Sequence, residues 1–254
     1  MTPAPLRRVL GELRMGFLIL TRLPVGSLAG DVPTMGASAW GWPVVGLVVG
    51  GISALIWWLA LAIGLPPLPA AVLAVLAGTL ATGGLHEDGL ADLADGFGGG
   101  KDKTRRLEIM RDSRIGSYGA LGIGFSLLLR VGALAGLGAC DGALALIALG
   151  AASRAMMPAA LHLMPAARED GLGRAAGGVG QRPALLALAI GFAALWLTGP
   201  AALATAAAMV VAAIGLGWLA LRRIGGQTGD VLGAMQQVAE LAGWLALSAL
   251  LTAV

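Results

Sequence analysis

The stretch AWGWPVVGLVVGGISALIWWLALAIGL, residues 39–65, contains no Asp, Glu, Lys or Arg. A helix needs about 20 consecutive apolar residues to cross a hydrocarbon core, and this run exceeds that. The rest of the chain has the same character. It is 57% hydrophobic and 12% charged, with a mean hydropathy of +0.85. A soluble domain of 254 residues needs far less apolar surface. The expected class is therefore all-α, a polytopic integral membrane protein in contact with the lipid bilayer. The 41 glycines, with abundant alanine, suit helices that pack closely in lipid. A single cysteine, Cys140, excludes an intramolecular disulfide framework and reads as a small packing residue. The first residues carry no signal-peptide pattern.

The uncharged run extends from Val32 to Leu85 and is broken at Pro66-Pro67 and Pro69. It predicts two spans, about 39–65 and 68–84. Further spans are expected over 117–138 and 142–164. Two more fit between Pro183 and Leu221, separated at Gly199-Pro200, and a last one starts at Val231. That gives about seven transmembrane helices. Residues 1–30 carry Arg7, Arg8, Arg14 and Arg22 around an apolar core, Met15 to Leu20, that is too short to span. This segment reads as an N-terminal interfacial or re-entrant helix ending at Pro24. The chain is one transmembrane helical domain over 1–254, with a catalytic loop expected at about 85–116.

The basic residues assign the faces. Of the 17 Lys and Arg, all but Arg130 and Arg154 fall in the N-terminal segment or in the segments 85–116, 165–182 and 222–230. Seven spans place these four segments on one side. The opposite connections, near Pro66, Asp141 and Pro200, have none. The positive-inside rule puts the loaded side in the cytoplasm.

That side also holds Leu85-His86-Glu87-Asp88-Gly89-Leu90-Ala91-Asp92-Leu93-Ala94-Asp95-Gly96. It contains four of the 14 acidic residues: Glu87, Asp88, Asp92 and Asp95. At 100° per residue, Asp88, Asp92 and Asp95 share one narrow helical stripe. Crowded carboxylates repel, and a divalent cation removes that penalty. Hard oxygen ligands suit Mg²⁺, Mn²⁺ or Ca²⁺ rather than zinc. The plainer reading is a solvated helix end, although such faces usually alternate in sign. Lys101, Lys103, Arg105, Arg106, Arg111 and Arg114 follow directly. Cation and guanidinium groups together suit a diphosphate. Retention by anionic lipid headgroups is the competing reading of the basic loop.

Two arginines stand inside expected spans. Arg154 reads as lining an active-site cavity, with a structural pairing to a carboxylate as the alternative. Arg130 reads as able to snorkel outward. Glu240, in the last span, could complete a metal site or pair with Arg154. His86, beside the acidic stripe, is the better of the two histidines for a polar role.

Several of these segments carry a resemblance. Thr21-Arg22-Leu23-Pro24-Val25-Gly26 looks like the opening of the cobalamin synthase family, the adenosylcobinamide-GDP ribazoletransferases. Gly84 to Asp92 with Asp95-Gly96 resembles that family's acidic motif, and Arg111-Asp112-Ser113-Arg114-Ile115-Gly116-Ser117-Tyr118-Gly119 its second signature. Ser153-Arg154 and Gly225-Gly226-Gln227-Thr228-Gly229-Asp230 followed by Val231-Leu232-Gly233-Ala234 are similar to two more.

The resemblance implies an Mg²⁺-dependent phosphotransferase of the bacterial inner membrane, with its active site facing the cytoplasm. α-Ribazole or its 5′-phosphate would attack the cobinamide-side phosphorus of adenosylcobinamide-GDP. GMP would leave, and adenosylcobalamin or its 5′-phosphate would form, a late step of nucleotide-loop assembly. Glu87, Asp88, Asp92 and Asp95 would hold the cation, one of them acting as base. Arg111, Arg114, Arg154 and Asp230 would lie at the substrate phosphates. No nucleic-acid partner is implied. Homo-oligomers, or association with other corrinoid-pathway enzymes, are compatible with it.

Two other classes fit part of the pattern. A CDP-alcohol-type phosphotransferase shares the acidic helix and the metal, but its signature has an Arg where this chain has Asp92. A transporter would cluster polar groups at mid-membrane and at both faces.

Overall fold

The computed structural model describes residues 4–28, 32–171 and 178–251. Helix α1 (Ala4–Leu20) ends where the Thr21 hydroxyl donates back to the Phe17 carbonyl (2.7 Å), four residues before the expected stop at Pro24. The first uncharged run starts with a short α2 (Met35–Ser38), capped by the Thr34 hydroxyl, which accepts from the Ala37 amide (3.2 Å). A single 3₁₀ turn, Ala39–Gly41, leads into α3 (Trp42–Ala62). Prolines at 66 and 67 stop the run and start α4 (Pro67–Thr82).

The next turn positions the site. Gly83 and Gly84 both adopt left-handed backbone (φ 68° and 72°), which only glycine takes without strain. They bend the chain by 89° directly into α5 (Leu85–Gly99). The segment 85–116, expected as a polar loop with the acidic stripe on a helix and a helical core near 104–111, is mostly helical. It comprises α5 and then α6 (Lys103–Ile109), capped by Asp102, whose carboxylate accepts from the Arg105 amide (2.9 Å).

Four long helices complete the bundle after α7 (Ser117–Ala135): α8 (Ala139–Leu163), α9 (Gln181–Leu195), α10 (Ala202–Ile224) and α11 (Gly229–Leu251). A 3₁₀ link, Trp196–Ala201, joins α9 to α10 through the non-helical Gly199 (φ 61°, ψ −136°). A helix now stands at each position where a span is expected. Length and apolarity qualify four stretches: Met35–Ala62, Ser117–Ala135, Ala139–Leu163 and Gln181–Ile224. Counting the bent α4–α5 pair as one span gives five. Helix α4 falls short by length, at 16 residues. Helix α11 carries Asp230, Gln236, Gln237 and Glu240, so it lacks the uniform apolarity of a lipid-facing helix.

Helix α8 is the hub: 83% of its most apolar window is buried. It meets α3 backbone to backbone. A Cβ placed on Gly46 would lie 2.1 Å from the Gly150 carbonyl oxygen, and one on Gly50 2.3 Å from that of Leu146. Helix α9 approaches through Gly191, where a Cβ would come within 2.5 Å of Ala155 Cβ. Small residues at such crossings let dispersion contacts accumulate where lipid supplies no hydrophobic drive. Leu128, Leu203, Val211 and Ile214 remain largely exposed on the outer surface, as lipid-facing side chains do.

The Lys- and Arg-bearing segments gather at one end. The Arg106 guanidinium donates to the Arg223 carbonyl (3.1 Å). The Ala167 amide donates to the Gln227 carbonyl (2.9 Å), and the Gln227 amide donates to that of Pro165 (2.8 Å). The Arg22 amide ties the end of α1 to the Ala81 carbonyl (2.8 Å). At the other end, Trp57 Nε1 donates to the Ala139 carbonyl (2.9 Å).

Candidate active site

The acidic face is built by glycine contact between α5 and α11. A Cβ on Gly89 would lie 3.0 Å from the Asp230 carbonyl oxygen and 3.2 Å from Gly233 Cα. No side chain fits there, so the two backbones touch. Asp88 and Asp92 come to stand beside Asp230. Asp92, beyond the bend, has its pKa pushed up to about 7. Partial burial is the main cause, followed by repulsion from Asp88, Asp230 and Asp95, with Arg168 opposing.

Asp230, expected at a substrate phosphate, stands with this acidic set. Its Oδ2 accepts from Arg168 Nη2 (3.2 Å) and from the Thr228 hydroxyl (3.2 Å). The same hydroxyl accepts from the Val231 amide (3.2 Å) and so caps α11. Arg168 is the basic residue on this face that the sequence alone does not single out. It lies 62 positions before its partner, on a loop with no local sign of its role.

Asp95 is engaged elsewhere. Its two oxygens accept from the Gly116 amide (2.7 Å) and the Gly119 amide (2.9 Å) at the start of α7. Both positions need glycine, because a Cβ at either would come within 2.4 Å of those oxygens. The carboxylate docks α5 onto α7 and compensates the exposed amides of that helix.

Glu87 turns inward, away from the acidic stripe. Its Oε1 accepts from Arg130 Nη1 (3.2 Å) and Gln237 Nε2 (3.2 Å). Arg130 Nη2 also pairs with Glu240 (3.1 Å). Arg130 is 8% exposed, so it does not snorkel. It is the shared cation of the buried Glu240 and the partly buried Glu87. Glu240 also accepts from Gln236 and Trp244, and it faces Arg154 across a shared cavity without a direct ion pair. Arg154 does line a cavity, with His86, Gln236 and Glu240, but its volume is only about 30 Å³, the room of a single water. Its Nη1 donates to the Gly150 carbonyl of its own helix (2.9 Å).

Arg111 and Arg114 lie at the surface. Arg111 Nη2 donates to both oxygens of Asp170 (2.5 and 2.7 Å), and Arg114 Nη2 to Asp112 (2.7 Å). The hydrogen bonds from Arg114 hold Asp112 down at about 2. Such exposed pairs contribute little to stability, so these guanidinium groups can exchange partners cheaply. Arg174 lies outside the described residues.

The four expected carboxylates thus divide: Asp88 and Asp92 on the acidic face with Asp230, Asp95 at α7, Glu87 in the core. Among the described residues no three His, Cys, Asp or Glu side chains are grouped as ligands of one ion. The face has the donor chemistry and the surplus negative charge that suit a hard cation, without a closed ligand cage.

Residues 12–248 match the model of a protein family described as cobalamin-5-phosphate synthase. The chain is 45% identical over 254 residues to a protein of Mesorhizobium japonicum, covering 97% of this chain and 96% of that one. It is 47% identical over 250 residues to a protein of Azorhizobium caulinodans (92% and 94%), and 45% identical over 241 residues to one of Bradyrhizobium diazoefficiens (93% and 92%). All three are named adenosylcobinamide-GDP ribazoletransferase. No solved structure matches the chain.

Proposed function

The chain belongs to the cobalamin-5-phosphate synthase family, and from that membership we propose that it transfers the cobinamide-phosphate group of adenosylcobinamide-GDP onto α-ribazole or its 5′-phosphate. A ribose hydroxyl oxygen attacks the cobinamide-side phosphorus. The bond from that phosphorus to the bridging oxygen breaks, GMP leaves with the oxygen, and the hydroxyl proton passes to a carboxylate of the acidic face. The observation that carries this reading is identity of 45–47% to relatives of that name along nearly the whole chain. The acidic face beside Arg168 supports it.

Asp88, Asp92 and Asp230 are the residues that would hold Mg²⁺. Bound there, the ion would offset the charge that develops on the diphosphate. Arg168 orients Asp230. Arg111 and Arg114 release Asp170 and Asp112 to take phosphate oxygens, for which the guanidinium fork is suited. Asp95 and Glu87 fix α5 against α7 and the core.

Purified protein given donor, acceptor and Mg²⁺ is expected to release GMP in equal amount to corrinoid product, measured by chromatography, and EDTA is expected to stop it. Release of CMP from a CDP-linked donor, with adenosylcobinamide-GDP left intact, would favour a CDP-alcohol-type transferase. No nucleotide release from intact protein would count against enzymatic transfer altogether.

The acidic face opens to the cytoplasm of the inner membrane. The carrying observation is the gathering of Arg22, Arg106, Arg168 and Arg223 at one end of the bundle. Reporter fusions at Lys103 and Arg223 are expected on the cytoplasmic side and a fusion at Asp141 on the other; the same side for all three would refute this orientation.

A further inference from the structure

The 89° bend at Gly83-Gly84 leaves an open groove of about 600 Å³ between the end of α1, the bend and α7. Leu18, Ile19, Leu85 and Ile123 give it an apolar side, and Thr21, Thr82 and Glu87 a polar one. Asp88 stands at its edge, and Arg22 lines it from the α1 side. The groove is within the range of roughly 300–1,000 Å³ usual for small-molecule sites. Thr82 and Glu87 form a wall that it shares with the buried polar cavity behind it.

Arg22 is the exposed arginine that lines the groove, whereas Arg154, which also lacks an ion pair with a carboxylate, is buried and donates to the Gly150 carbonyl. Arg111, Arg114, Arg130 and Arg168 each pair with a carboxylate. Among the described residues Arg22 has no such ion pair, and it is exposed. Its backbone is pinned to the end of α4, and its side chain lies along Gly83, where a Cβ would come within 2.8 Å of its Cγ and Nε. Glycine at 83 therefore makes room for the Arg22 side chain as well as for the bend.

We propose that this groove is the acceptor site, binding a nucleotide with an apolar aromatic base, and that Arg22 binds a phosphate monoester on that nucleotide. The inference rests on the reaction proposed above. The apolar side suits a base without polar edges. Asp88 brings the groove to the acidic face, where the attacking hydroxyl must arrive. The unpaired guanidinium supplies a partner for phosphate. The donor, a corrin macrocycle joined to guanosine diphosphate, is too large for this volume. Arg22 thereby becomes the residue that favours a phosphorylated acceptor over its unphosphorylated counterpart.

The test compares kcat/KM for α-ribazole 5′-phosphate and α-ribazole, with the full chain in nanodiscs at saturating donor. Loss of a charge-assisted hydrogen bond predicts that Arg22→Gln lowers the ratio of the two at least about tenfold. Arg22→Lys is expected to restore part of it. Ile123→Trp, which narrows the groove, is expected to raise KM for both acceptors more than KM for the donor. An unchanged ratio in Arg22→Gln overturns the assignment. So does an effect confined to the dependence on anionic lipid, which would mark a headgroup site. If the unaltered protein releases GMP with either acceptor but the ratio is insensitive to residue 22, only this inference fails. If it releases none, the reaction itself is wrong.

Discussion

Asp92→Asn is expected to lower turnover by at least about two orders of magnitude while the protein still inserts and folds. The effect on stability should be neutral or favourable. The carboxylate is half-buried and repelled by Asp88, Asp95 and Asp230, which is why its pKa rises to about 7. An uncharged amide of the same shape relieves that repulsion. A side chain retained at a cost to the fold but needed for activity is a functional one. The same shift gives a pH dependence. Without metal, Asp92 is mostly protonated below about pH 7, and protons compete with the cation there. The apparent Mg²⁺ requirement should therefore rise as pH falls from 8 to 6. Rate against Mg²⁺ concentration at several pH values checks both statements. Near-normal turnover in Asp92→Asn would remove this residue from the site.

Arg130→Met is expected to have the largest effect on stability. Arg130 bridges Glu87 and Glu240 inside the bundle, at 3.2 and 3.1 Å. Removing it leaves the buried Glu240 and the partly buried Glu87 without their cation. Breaking a buried pair in this way costs about 3–5 kcal/mol. Thermal unfolding in detergent should show a lower midpoint, and membrane-inserted yield should fall. Adding Glu87→Gln and Glu240→Gln to Arg130→Met removes the stranded charges and is expected to recover much of the loss. If the single variant is as stable as the parent, Arg130 does not hold the core. Glu87 links this core to the active face, so partial loss of activity is expected even in the rescued triple variant.

The apolar helices were legible because their signal is local. Residues 39–65 and the proline breaks fix where helices lie, and α3 and α4 follow them within a few residues. The acidic stripe was legible for the same reason, since helical periodicity alone puts Asp88 and Asp92 on one side. What the sequence did not disclose depends on tertiary contact. Nothing local shows that Gly89 and Gly233 bring Asp230 to the stripe, or that Arg168 faces it across 62 residues. Glu87 adjoins Asp88 in sequence, but a 100° step turns it to the opposite wall, where Arg130 and Gln237 wait 43 and 150 positions away. Asp95 lies within the periodic stripe yet is claimed by α7, because the Gly116 and Gly119 amides are uncovered there. Within the 85–116 region the helical stripe and the helical core near 104–111 were legible, but the full extent of the first helix, to Gly99, was not, because its glycines suggest a hinge. The two left-handed glycines just before it end α4 at Thr82 and start α5 at Leu85 in a new direction.

The proposed function turns on whether Asp88, Asp92 and Asp230, which do not form a closed ligand cage in the structure, would together hold a divalent cation. Mn²⁺ titration of the purified, substrate-free protein, followed by electron paramagnetic resonance, tests it without relying on turnover. Saturable binding is expected in the unaltered chain, tighter at pH 8 than at pH 6, and weakened at least about tenfold in Asp92→Asn. Equal binding by both proteins, or none by either, would contradict it.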